Sequence, residues 1–226
     1  MSTGSEKRFL PRLTVSHEVF RLDENGRLFA VADLTMKGMA LRIAERDDFF
    51  HFSVGAEVRG TLNLRREKFP IQARVRHLGR ELVGLEFETL PSSIEHALAR
   101  LLDPATLGAD LRPVPTEDEA LLFAASSGTE VLFNPSAEGG FQRITVMMLG
   151  TLVVWDAKSG LRTGTITNSY EQSFVTGVTR LETLLFEEDR AIDPQKLNLA
   201  KAMISSSNLS EELKKFCARR LEGASA

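Results

Sequence analysis

Between residues 13 and 88 the apolar positions come in short, partly alternating runs broken by charged or glycine-bearing turns. Such runs mark half-buried strands. The first covers residues 13–20. Asp23-Glu24-Asn25-Gly26 follows, and its Asn-Gly pair is a strong short-range hairpin signal. Residues 28–33 and 38–43 read as the second and third strands. Residues 56–64 and 69–77 flank the charged turn Arg65-Arg66-Glu67-Lys68 as the fourth and fifth. Leu78-Gly79-Arg80-Glu81 leads into a sixth, residues 82–88. Six short strands with no helix between them predict a small antiparallel barrel or sandwich.

The period then changes. Ile94, Ala97, Leu98, Leu101 and Leu102 recur at helical spacing after Pro91-Ser92-Ser93, with Ser92 or Ser93 as the expected cap. This helix should trail the barrel and lie across it, and Asp103-Pro104 should end it. The stiff, polar segment Arg112-Pro113-Val114-Pro115-Thr116 places a boundary. The expected organisation is a barrel unit with its flanking helix over residues 1–112, a linker at 113–116, and a smaller α+β unit over 117–226. In that second unit residues 120–125, 130–133, 143–155, 163–167 and 174–181 read as strands. Asp193-Pro194 signals a helix start, with a capping residue and proline at the first position. Ser210 is the expected cap of a last helix, whose Leu213, Phe216, Cys217 and Leu221 share a face. Its final turn carries Arg219 and Arg220, which suits the negative end of the helix dipole.

Composition adds limits. The chain has 226 residues, 42% hydrophobic and 26% charged, an ordinary globular balance that excludes disordered and collagen-like classes. Cys217 is the only cysteine, so no internal disulfide or cysteine-rich zinc site can form. The four histidines, His17, His51, His77 and His96, have no metal-ligand spacing. No apolar run reaches the ~18 residues of a membrane span, and residues 1–10 lack a signal-peptide core. These features point to a reducing, cytoplasmic location. No nucleophile elbow, Walker loop or HExxH segment is present, so the chain reads as non-enzymatic.

Charge is unevenly placed. Residues 1–112 hold 17 Lys and Arg against 16 Asp and Glu, and 14 of those 17 are arginine. A surplus of one is too small to attract double-stranded DNA over distance. A small anionic ligand needs only a few well-placed arginines, whose planar forks match phosphate oxygens or a base edge. Two segments supply candidates. Arg8-Phe9-Leu10-Pro11-Arg12 sets two arginines four apart just before the first strand. Asp33-Leu34-Thr35-Met36-Lys37-Gly38 joins the second and third strands. If those strands are neighbours, both segments meet at one end of the barrel. A guanine nucleotide suits that set. Arginines can make paired, charge-assisted bonds to phosphate or to guanine O6 and N7. Asp33 can accept from guanine N1 and N2. Thr35 can hold the turn or bond to the ligand, and Gly38 can allow a sharp turn or close approach.

With these motifs the sequence resembles the PilZ domain family, bacterial receptors for cyclic di-GMP. That family carries Arg-x-x-x-Arg in an N-terminal arm, matched by Arg8 and Arg12. Asp/Asn-x-Ser-x-x-Gly follows, matched by Asp33 and Gly38 with Thr35 in place of serine. Val83-Gly84-Leu85-Glu86-Phe87 resembles its last strand. The resemblance covers about residues 6–102. It implies a six-stranded antiparallel barrel and arginines that grip phosphates and bases of the ligand, often as a stacked dimer. It also implies a contributing side chain late in the fifth strand, here Arg76. The resemblance implies a cyclic di-GMP receptor with no other cofactor, and the expected role of residues 117–226, which it does not cover, is to carry the output to a protein partner. The alternative is an adaptor whose barrel has lost the nucleotide and acts by protein contacts alone.

Overall fold

The computed structural model describes residues 11–166, apart from Ser16, and residues 186–222. Arg8 and the strand expected at 174–181 therefore lie outside the described residues.

The barrel strands are β1 (Leu13–Thr14), β2 (Val19–Leu22), β3 (Leu28–Leu34), β4 (Gly38–Arg42), β5 (Glu57–Leu64), β6 (Glu67–Leu78) and β7 (Leu82–Thr89). β1 and β2 both pair with β3, β1 through Leu13 and Thr14 and β2 through residues 19–21. They come from the single strand expected at 13–20, interrupted in its middle. The ring β3-β2-β5-β6-β7-β4 closes through β3–β4, so the barrel has six positions and every pairing is antiparallel. Alternation fills its interior: Phe20, Leu34, Leu41, Leu62, Val75 and Val83 are fully buried. The β5–β6 turn is tighter than the sequence suggests. Arg65 and Arg66 alone form it, both at positive φ, and Glu67 and Lys68 already belong to β6.

Two helices follow, α1 (Ser92–Leu101) and α2 (Pro104–Ala109). Pro91, not Ser92 or Ser93, occupies the N-cap of α1, and no side chain caps it. Asp103 ends α1 as expected, but it also starts α2 by accepting from the Thr106 amide at 3.1 Å. At six residues α2 is too short to leave a periodic trace in the sequence.

Among the described residues the second sheet has seven antiparallel strands, each paired with the next: β8 (Arg112–Val114), β9 (Leu121–Ala124), β10 (Glu130–Pro135), β11 (Phe141–Met148), β12 (Thr151–Asp156), β13 (Gly160–Ile166) and β14 (Phe186–Glu188). The change of sheet falls between α2 and β8, so Pro113 and Val114, expected in the linker, are paired with β9. The single run expected at 143–155 is a hairpin, turned at Leu149 and Gly150, both at positive φ.

The chain ends in α3 (Pro194–Ser205) and α4 (Glu211–Glu222). Asp193 caps α3 by accepting from the Gln195 and Lys196 amides, and Pro194 is its first residue. The Ser210 hydroxyl accepts from the Leu213 amide at the start of α4. Phe216 of α4 meets Phe141 and Trp155 edge-on, and the Arg220 guanidinium stacks 4.6 Å from the Trp155 ring centre. The Lys196 ammonium, 3% exposed at its side chain, bonds to the Asp189 carboxylate and the Thr165 hydroxyl at 2.8 Å, fixing α3 to the sheet.

The halves are not separate cores. α2 packs on α3, and one cluster of buried apolar residues runs from Leu13 through Leu107 and Leu111 to Met203 and Leu221. Cys217 sits within it, and burial pushes its thiol up from 9.0 to about 12. The native chain should therefore resist thiol-alkylating reagents at pH 8, where a free cysteine reacts, and should label only on unfolding. A raised folded value favours the folded state below pH 9, and that contribution is lost as pH climbs from about 9 towards 12. Fast labelling of native protein would contradict this placement.

Candidate functional site

Pairing decides which face each strand residue takes. Leu34, Met39, Leu41, Val83 and Leu85 point into the core. Their neighbours Asp33, Gly38, Ala40, Gly84 and Glu86 therefore share the outer face. Asp33 stands opposite Ala40, Ala40 opposite Gly84, and Gly38 opposite Glu86. The result is a bed of small residues, Ala40 and Gly84, between the Asp33 carboxylate at one edge and His77 of β6, opposite Gly84, at the other.

Arg12 leaves β1 toward that edge. Its Nη1 lies 3.7 Å from Asp33 Oδ2, and the guanidinium is well exposed while Asp33 is buried. An exposed cation held over a buried acceptor can swing to an incoming anion at little cost to the fold. The structure thus unites Arg12 and Asp33, the pair on which the nucleotide reading depends.

Thr35 and Gly38 serve the turn itself. The Thr35 hydroxyl accepts from the Gly38 and Lys37 amides at 3.0 and 3.1 Å, and the Thr35 amide donates to the Gly38 carbonyl at 2.9 Å. These bonds show Thr35 holding the turn, one of the two roles expected for it. The hydroxyl is common to serine and threonine, so the change from the family residue leaves the turn intact. Gly38 is needed for strand contact: a Cβ there would stand 2.1 Å from the Leu85 carbonyl oxygen of β7. Its φ is not positive, so left-handed freedom is not the reason.

Arg76 lies late in its strand, where the resemblance places a contributing side chain. It lies at the irregularity between Val75 and His77 in β6 and forms an ion pair with Glu86 of β7. It flanks the bed from the side opposite Asp33, with its guanidinium committed to a carboxylate. Arg74 does the same with Glu88.

Sequence reading missed one neighbour. The Arg12 amide donates to the Leu149 carbonyl at 3.1 Å, so the β11–β12 turn of the second sheet reaches the arm. No local pattern announces a contact between positions so far apart in the chain. Ala40 and Gly84 were missed as well, because small residues inside strands become informative only once the register aligns them. A cleft lined by Leu22, Asp23, Glu24, His51 and Glu57 opens at the other end of β3, away from Asp33. Among the described residues no group of His, Cys, Asp and Glu could hold a metal ion. No helix among them is long and apolar enough to cross a membrane.

Residues 6–103 match the family model of the PilZ domain. Among solved structures the chain is similar to the crystal structure of YcgR in complex with c-di-GMP from Escherichia coli. Identity is 19%, and the match covers 42% of this chain and 44% of YcgR with a TM-score of 0.35. The chain thus spans less than half the length of that protein. The search of curated proteins gave no match. The barrel is PilZ-like in sequence and strand count, and the second sheet with its helices lies outside the family match.

Proposed function

We propose that the chain is a cyclic di-GMP receptor that passes ligand binding to a protein partner and performs no catalysis itself. The observation that carries this reading is the exposed Arg12 guanidinium poised over buried Asp33, beside the small-residue bed of Ala40 and Gly84. A flat purine can lie on residues without bulky side chains. Asp33 can accept from guanine N1 and N2, and Arg12 can bind phosphate or the O6 and N7 edge. Arg8, from the same arm motif, is the second cation of the proposed site. Arg76 joins it only if the ligand competes with Glu86. Thr35 and Gly38 act from behind, by fixing the turn that presents Asp33. Residues 117–226 are the proposed surface for the protein partner.

A rival reading is favoured by the internal commitment of Arg76 and Thr35: the barrel would then be an adaptor without nucleotide. Asp33→Ala separates the readings. Loss of the guanine acceptor should weaken cyclic di-GMP binding by at least about tenfold while altering cyclic di-AMP binding far less, because adenine lacks the two donors. Equal losses for both nucleotides in calorimetric titrations would reduce Asp33 to a shaping role. No binding by the wild-type chain would favour the adaptor.

A further inference from the structure

We propose that the Leu149–Gly150 turn of the second sheet is a positioning element of the nucleotide site, holding the arginine arm so that Arg12 can reach the ligand. This rests on the receptor reading above. The barrel holds the segment after Arg12, through the pairing of Leu13 and Thr14 with β3 and the Val15 amide bond to the Ala32 carbonyl. Arg12 lies one residue beyond, and its amide bonds to Leu149 rather than to the barrel.

That carbonyl is firmly held. Leu149 and Gly150 take φ of 52° and 73°, a left-handed turn that fixes where the carbonyl points. Leu149 is 5% exposed and belongs to the common core. The Gly150 carbonyl accepts from the Ile166 amide at 2.9 Å, and the Thr151 hydroxyl donates to the Met148 carbonyl at 2.7 Å. A Cβ on Gly150 would stand 3.7 Å from the Arg12 Cβ, so the turn also touches the arm side-on. The site is thus bipartite. The barrel supplies Asp33, and the second half sets the direction of Arg12. Linkage makes the effect reciprocal: whatever orders the turn favours the ligand, and the ligand orders the turn.

The test uses the full chain, cyclic di-GMP as probe, and Gly150→Val. A β-branched residue at this φ distorts the turn and crowds Arg12. Two results are expected of the variant and one of the wild type. In the free protein the Arg12 amide should exchange faster in the variant. Affinity should fall by roughly tenfold, the scale of one backbone hydrogen bond. In the wild-type chain the ligand should slow exchange at residues 149–151, a readout that decides the matter even if the variant folds poorly. Wild-type affinity in a folded variant, or hairpin amides indifferent to ligand, would overturn the proposal and leave the receptor reading standing. No binding by the wild-type chain would overturn both, and it would be seen before any substitution is made.

Discussion

Replacement of Arg12 by alanine is expected to weaken cyclic di-GMP binding by more than about a hundredfold. The substitution removes a guanidinium that can make two charge-assisted bonds, each contributing ~1.5–3 kcal/mol. Because the Arg12 side chain is exposed and its tie to Leu149 is made by the backbone amide, the fold should keep that contact. Unfolding in urea should shift by less than about 1 kcal/mol, because the guanidinium is exposed and stands 3.7 Å from Asp33, a loose contact with little net worth. Calorimetry on the variant checks the first statement, and denaturation checks the second. Wild-type affinity would place the ligand elsewhere. A large stability loss would make Arg12 a structural residue.

The second large effect concerns the joint between the halves. Gly108 is buried in α2, where a Cβ would stand 2.2 Å from the Met203 carbonyl oxygen of α3. Neither backbone can turn aside as a flexible side chain would. Gly108→Val should therefore push the helices apart and cost about 3 kcal/mol or more in chemical unfolding, at the upper end of overpacking effects. The Asn208 side-chain amide donates to the Ala109 carbonyl at 2.6 Å across the same joint, and that bond should be lost too. An unchanged unfolding midpoint would mean that the helices do not approach this closely.

Most of the barrel was legible because its strands bury one face, so alternation and turn residues place five of the six within two residues, while the first divides into β1 and β2. α3 was legible through Asp193-Pro194, whose cap and rigid first residue act locally. The β11–β12 hairpin was not. Met147, Leu152 and Val154 are buried on the face opposite the main core, so both strands read as one continuous apolar run. Leu149 gave no turn signal, since a large apolar residue at positive φ is held there by its burial and not by its own preference. At the candidate site, the proximity of Arg12 and Asp33 was legible because the motif spacing and the strand pairing agree. The pairing of Arg76 with Glu86 was hidden, because a bulge in β6 sets which residue of β7 it meets. Thr35 and Gly38 were found by their motif, but their tasks follow from the turn and from β7.

Titration of the purified full chain with cyclic di-GMP, measured by calorimetry beside GTP and cyclic di-AMP, tests the central claim most directly. The account predicts saturable binding of cyclic di-GMP, at least about tenfold tighter than either competitor, since only that ligand joins two guanine edges to two phosphates near Arg12 and Asp33. Equal binding of GTP and cyclic di-GMP, or no heat from either, would contradict it.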